Sequence, residues 1–233
     1  MFLGEIHDNP DHHRRQAEIV AALSPSAVVF EMLTPDRARA VTPDARATAA
    51  TLAAATAWND SGWPDFAMYY PIFDAASEAS IIGADVPRGL IQSAVSSGAA
   101  QVFGASAPLF GLDTPLETKE QTVREDGQQD AHCGKMPAEF LPGMVEAQRL
   151  RDASLARAAI AGLAEGDGPV VVITGNGHAR TDWGAPALLA TARPDLSIVS
   201  LAQFESPPEK DRPFDLWALS APVERADPCA IFE

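Results

Sequence analysis

Two histidines far apart in sequence stand where runs of apolar residues give out, each lifted off the end of an expected strand. His7 follows Phe2-Leu3-Gly4-Glu5-Ile6, and His178 follows Val170–Ile173 through the turn Gly175-Asn176-Gly177. An imidazole held by a carboxylate can move a proton, or it can offer its other nitrogen to a metal. Glu5 and His7 are two apart, so on an extended strand they point to the same face. Glu31 directly follows Ala27-Val28-Val29-Phe30, where a buried charge requires a partner. Asp85 and Arg88 follow the apolar stretch 79–84, and Arg180 closes the His178 turn. If the protein cleaves a bond, Glu5, His7, Glu31 and His178 are the expected catalytic set. No G-x-S-x-G elbow is present, so a serine acyl-enzyme is disfavoured. His7, His12 and His178 are candidate metal donors, with His132-Cys133 as a lesser pair.

These groups need elements that bring them together. Strands are expected from Phe2, over Ala27–Phe30, Ala79–Ala84, Val170–Ile173, Leu196–Leu201 and Phe214–Leu219, mostly short and apolar as in strands buried on both faces. Helices are expected over His12–Leu23, Ala138–Ala164 and Gly184–Thr191. Alternating strands and helices predict an α/β fold with a mostly parallel sheet, whose carboxyl ends converge on one crevice. The α/β part is expected to comprise residues 1–33, 75–112 and 165–233. Residues 34–74 and 113–164 are expected to form one smaller helical subdomain over the sheet's carboxyl edge. A polar loop is expected over 206–213 and a frayed tail after Pro222.

Two further features carry chemistry. Met144, Gln148, Arg151, Leu155 and Ala159 share one helical face, so Gln148 and Arg151, with Asp152 beside them, interrupt an apolar stripe. Either an internal Arg–Asp brace or a ligand would satisfy them. The segment Trp58–Phe73 holds six aromatics, including both tyrosines of the chain. It could be a small core, or an aromatic wall for a flat ligand with Tyr69 or Tyr70 supplying a phenolate.

The composition narrows the function classes. A chain of 233 residues with 46% hydrophobic residues can bury a core, and its formal charge of −15 argues against nucleic-acid binding. An anionic ligand would have to be held by local arginines such as Arg14, Arg15, Arg88, Arg151 or Arg180. The two cysteines allow one disulfide at most. There is no apolar run of the roughly 20 residues that span a bilayer, nor a signal peptide. A core strand beginning at the initiator methionine leads us to expect that the natural chain starts upstream, with a leader missing from this version.

The ordered motifs resemble one family. Leu3-Gly4-Glu5-Ile6-His7-Asp8-Asn9-Pro10-Asp11-His12-His13-Arg14-Arg15-Gln16, Glu31-Met32, Trp63…Tyr69-Tyr70-Pro71, His132-Cys133-Gly134, Ala147–Asp152 and Gly175-Asn176-Gly177-His178-Ala179-Arg180 are similar to the ChaN-like haem-binding uptake proteins, over roughly residues 3–190. The resemblance implies a bacterial haem-uptake lipoprotein, periplasmic or membrane-anchored, homodimeric, and served by outer-membrane uptake partners. It implies haem as ligand, with Tyr69 on the iron and Tyr70, His7, His178, Arg180, Arg88 and Arg151 around it. A non-catalytic carrier is thus the leading expectation. The wider group also contains Tiki-like and erythromycin-esterase-like hydrolases, which makes a Glu/His-dependent hydrolase the alternative.

Overall fold

The computed structural model describes residues 1–208, 212–227 and 229–230. Its strands are β1 (Phe2–Glu5), β2 (Ala27–Phe30), β3 (Ser80–Gly83), β4 (Val170–Gly175), β5 (Ser200–Phe204) and β6 (Leu216–Leu219). Its helices are α1 (Pro10–Leu23), α2 (Pro35–Ala38), α3 (Ala49–Ala55), α4 (Phe66–Ala75), α5 (Arg88–Ser97), α6 (Ala99–Phe103), α7 (Thr118–Ala131), α8 (Leu141–Gly162) and α9 (Ala185–Ala192). The strands form one sheet in the order β3-β2-β4-β1-β5-β6, with every pairing parallel. The expected α/β class is what folds.

Strand alternation divides the core in two. Phe2, Ala27, Val29, Val170 and Val172 pack on one face with Leu150, Ala153 and Ala156 of α8 and Leu189 of α9. Leu3, Val28, Phe30, Val171 and Ile173 pack on the other with Val20 of α1 and Phe66, Tyr69, Ile72 and Phe73 of α4. Both faces are covered, which is why the strands read as continuous apolar runs. β1 and β4 are neighbours, with Glu5 opposite Gly175. Beyond them the chain leaves in opposite directions, from β1 through α1 to β2 and from β4 through α9 to β5. That switch point is where an open α/β sheet forms its ligand crevice.

Three expectations are corrected. The stretches 34–74 and 113–164 do not make one helical unit, because α4 and α8 pack on opposite faces of the sheet. What reaches over the carboxyl edge is α7 from one side and Trp63 from the other. The fifth strand runs Ser200–Phe204, later than expected. Its polar residue explains the misreading, because the buried Gln203 side chain donates to the carbonyls of Gly4 (2.8 Å) and His12 (3.2 Å). The tail beyond Pro222 is tied down where described. Arg225 bonds both Asp8 and Glu205 at 2.6–2.7 Å, and Cys229 forms a disulfide with Cys133, Cα–Cα 5.7 Å. The polar loop expected over 206–213 lies partly outside the described residues.

Candidate functional site

The end of β1 delivers Glu5, which is 2% exposed and surrounded by donors. Its Oε1 lies 2.8 Å from His7 Nδ1 and accepts from the Tyr69 hydroxyl at 2.6 Å. Its Oε2 accepts from Gln16 at 2.7 Å and lies 3.4 Å from His13 Nδ1. Gln16 and His13 come from α1, which starts cleanly because Asn9 caps it and Pro10 opens it. Burial alone would raise the Glu5 carboxyl, but the hydrogen bonds from His13 and His7 outweigh it and bring it to about 2. Glu5 is therefore an ionised anchor for His7.

A second pair stands across the β1–β4 boundary. His178 Nδ1 lies 2.7 Å from Asp152 Oδ1 of α8, and its Nε2 lies 3.6 Å from Glu31 Oε1. Glu31 is held at the end of β2 by the Thr174 hydroxyl (2.6 Å) and the Gly175 amide (2.7 Å). Burial opposes charge on His178, yet the carboxylates of Glu31 and Asp152 on either side raise it to about 9. His178 is thus an imidazolium at neutral pH. His7 is also raised, because its bond to Glu5 and the charge of Glu31 overcome its desolvation.

Gly175 sits between the pairs, where a Cβ would stand only 2.9 Å from His7 Nε2. His7 Nε2 makes no hydrogen bond among the described residues, and its ring packs edge-on to Trp63, with centroids 4.8 Å apart. Two adjoining clefts meet here. The larger, about 510 Å³, runs from Glu5, His7, Glu31 and His178 to Val123, Arg124, Gln128, Val145, Arg180 and Trp183. The smaller, about 300 Å³, includes Trp63, Asp85 and Arg151. Both volumes suit a small organic ligand or cofactor. His7, Glu31, Gln148 and His178 line both. No three His, Cys, Asp or Glu side chains converge as a metal site among the described residues.

The expected residues divide accordingly. Glu5, His7, Glu31, His178, Arg180, Arg151, Gln148, Asp152 and Asp85 line the clefts. Tyr69 does not: it is fully buried, tilted against His13 with its hydroxyl spent on Glu5, so it has no free face for iron. Burial, with Glu5 beside it, also drives its hydroxyl far above the usual phenol range. Tyr70 is half-buried against the α4 side of the core and lines neither cleft. Arg88 is exposed at the start of α5, away from both clefts. Arg14 pairs with Asp11 and Glu18 on the surface, while Arg15 braces α1 to Gln203 and Ser220. His12 is buried with Nδ1 accepting from the Ile6 amide at 2.9 Å, and burial lowers it to about 4. Cys133 is disulfide-bonded, which removes His132-Cys133 as a metal pair. Asp152 bonds His178, so of the two readings of this α8 face the Arg–Asp brace gives way to an Asp–His pair.

Arg124 and Trp183 were not singled out by the sequence, Gln16 entered only within the family motif, and His13, read with His12 as opening a solvated helix turn, is instead fully buried. A buried Glu5 calls for several donors, which was the available signal for Gln16 and His13. Nothing in the local sequence of α7 marks Arg124.

Residues 1–189 match the family described as "Haem-binding uptake, Tiki superfamily, ChaN". The chain belongs to the ChaN family. A solved structure, "Cofacial heme binding to ChaN of Campylobacter jejuni", has a TM-score of 0.66 and 20% identity, covering 92% of this chain and 85% of that one. At that identity the likeness shows a shared ChaN fold. No curated protein matches the chain. Within the region matching the ChaN family lie both carboxylate–imidazole pairs, both clefts and Cys133, whereas β5, β6 and Cys229 follow it.

Proposed function

We propose that this ChaN-family protein carries haem in the crevice over β1 and β4, as a non-catalytic step of haem uptake. The observation that carries the reading is His7. Its Nδ1 is held by the ionised Glu5, and its Nε2, packed against Gly175 where a Cβ would clash, has no hydrogen-bond partner among the described residues. A carboxylate on one nitrogen with the other free is the arrangement of a metal-ligating histidine. Haem also needs apolar walls and cationic partners for its carboxylates. Val123, Val145, Trp63 and Trp183 supply the first, and Arg151 lies in the adjoining cleft. His7 therefore replaces Tyr69 as the proposed iron ligand.

The family's uptake role, export and dimerisation belong to this proposal. The Cys133–Cys229 disulfide supports an oxidising compartment. The sheet-edge strand β6 leaves Leu216, Trp217 and Leu219 exposed at 48%, 53% and 42%, an apolar edge that suits a second copy of this chain. No helix among the described residues is long and apolar enough to cross a membrane. Haemin titrated into the purified protein should give a saturable Soret band. A band that grows linearly, as for free haemin, would overturn the proposal.

The pairing of His178 with Asp152 and Glu31 supports a second reading, a hydrolase acting through water. The cleft linings include no serine or cysteine, so the imidazolium of His178 would serve as acid and His7 as base. Hydrolysis of ester or amide substrates, lost in Glu31→Gln, would favour it.

A further inference from the structure

We infer that Arg124, Trp183 and Arg180 form a carboxylate clamp at the α7 side of the larger cleft, which sets which way round a ligand lies. The inference takes the ligand's apolar body from the haem reading above, whereas the clamp itself stands on separate observations. Arg124 comes from α7, and Arg180 and Trp183 come from the turn after β4; all three line the same cleft. The Trp183 ring carries both cations, with the guanidinium carbons of Arg180 and Arg124 at 3.7 and 5.2 Å from its centroid. Such stacking holds each planar group in place while leaving its edge free.

Each arginine is steadied by one carboxylate of its own segment, and each keeps donors in reserve. Arg180 bonds Asp182 through Nε (3.0 Å) and Nη2 (2.7 Å), leaving Nη1 unbonded among the described residues. Arg124 bonds Glu120 through Nη2 alone. Its side chain is only 9% exposed, and its Nε is buried with no partner. Its Nη1 is also unbonded among the described residues, and a ligand oxygen in the cleft that Arg124 lines would supply that acceptor. The rest of the larger cleft's lining suits a ligand carboxylate less well, and Arg151 stands apart in the adjoining cleft. The strand-end region already holds Glu5, Glu31 and Asp152, which repel it, and Val123 and Val145 are apolar. The clamp therefore selects a flat apolar molecule with a carboxylate arm. With haem, a propionate lies on Arg124 and Arg180 while the ring extends toward His7.

Binding of metal-free protoporphyrin IX, haemin and haemin dimethyl ester tests this, read by quenching of tryptophan fluorescence and by the Soret band. Wild type should bind the ester about tenfold or more weaker than haemin, and Arg124→Gln and Arg180→Gln should weaken haemin and protoporphyrin IX comparably. The variants should add little to the loss already seen with the ester, because both changes remove the same contact. The wild-type comparison uses no substitution, so misfolding cannot imitate it. Equal affinity for acid and ester would overturn the clamp, leaving haem binding intact. Binding of protoporphyrin IX with this arginine dependence, but without any shift in the haemin spectrum, would uphold the clamp and defeat His7 ligation. Failure of every porphyrin to bind would overturn both.

Discussion

The Tyr69 hydroxyl donates to Glu5 across 2.6 Å, joining α4 to the end of β1 inside the core. That bond makes Tyr69 a positioning residue for the Glu5–His7 pair and removes it from the cleft. Tyr69→Phe should destabilise the fold by about 2 kcal/mol, the usual cost of losing a hydrogen bond to a charged group. Denaturant unfolding measures it. The same variant should keep the wild-type haemin spectrum; a lost or displaced Soret band in a folded Tyr69→Phe protein would return the tyrosine to the iron.

The sheet was legible because its strands obey simple rules. Val170–Ile173 and Ala27–Phe30 are apolar throughout and end in glycine or a carboxylate, so their position and their delivery of Glu31 and His178 could be read directly. Tyr69 could not be placed in this way. Its sequence neighbours suit a ligand wall as well as a core, and the deciding partner, Glu5, lies on another element. The same holds for α4 and α8, whose helical character was plain but whose assignment to opposite faces depends on sheet order. Gln203 hid β5 because the buried carbonyls of Gly4 and His12 that replace water around its side chain belong to other elements.

Stability of the ligand-free protein should peak near pH 6.5. His178 is raised from 6.5 to about 9, so its contribution is complete below 6.5 and lost as pH rises through about 9. His12 is lowered from 6.5 to about 4, so protonation favours the unfolded chain as pH falls from 6.5 toward 4. Melting temperature against pH should therefore decline on both sides. His12→Asn, whose side-chain oxygen can still accept from Ile6, should flatten the acid limb. Asp152→Asn should move the alkaline limb to lower pH. A profile level from pH 5 to 9 would contradict both assignments.

Haem affinity should rise with pH through the titration of His7. Ligation needs the neutral imidazole, and Glu5 and Glu31 hold His7 protonated to higher pH than usual. Binding should thus release a proton, measurable by calorimetry in buffers of different ionisation enthalpy. Glu5→Gln should lower the pH at which affinity rises. Affinity independent of pH in the wild type would count against His7.

Cutting the Cys133–Cys229 bridge should loosen the cleft. The bridge closes 96 positions of chain and fastens the segment just after α7, a helix with no fully buried residue. Reduction, or Cys229→Ser, should lower stability by about 2–4 kcal/mol and speed hydrogen exchange in α7. Haem should leave faster from the reduced protein. Unchanged exchange in α7 would show that the helix is held by packing alone.

The most direct measurement is the ferric haem spectrum of wild type and His7→Ala, recorded with and without added imidazole. The wild type should show a histidine-ligated Soret band, His7→Ala should lose it, and free imidazole should restore it by filling the vacated space beside Gly175. An unaltered band in folded His7→Ala would contradict the account.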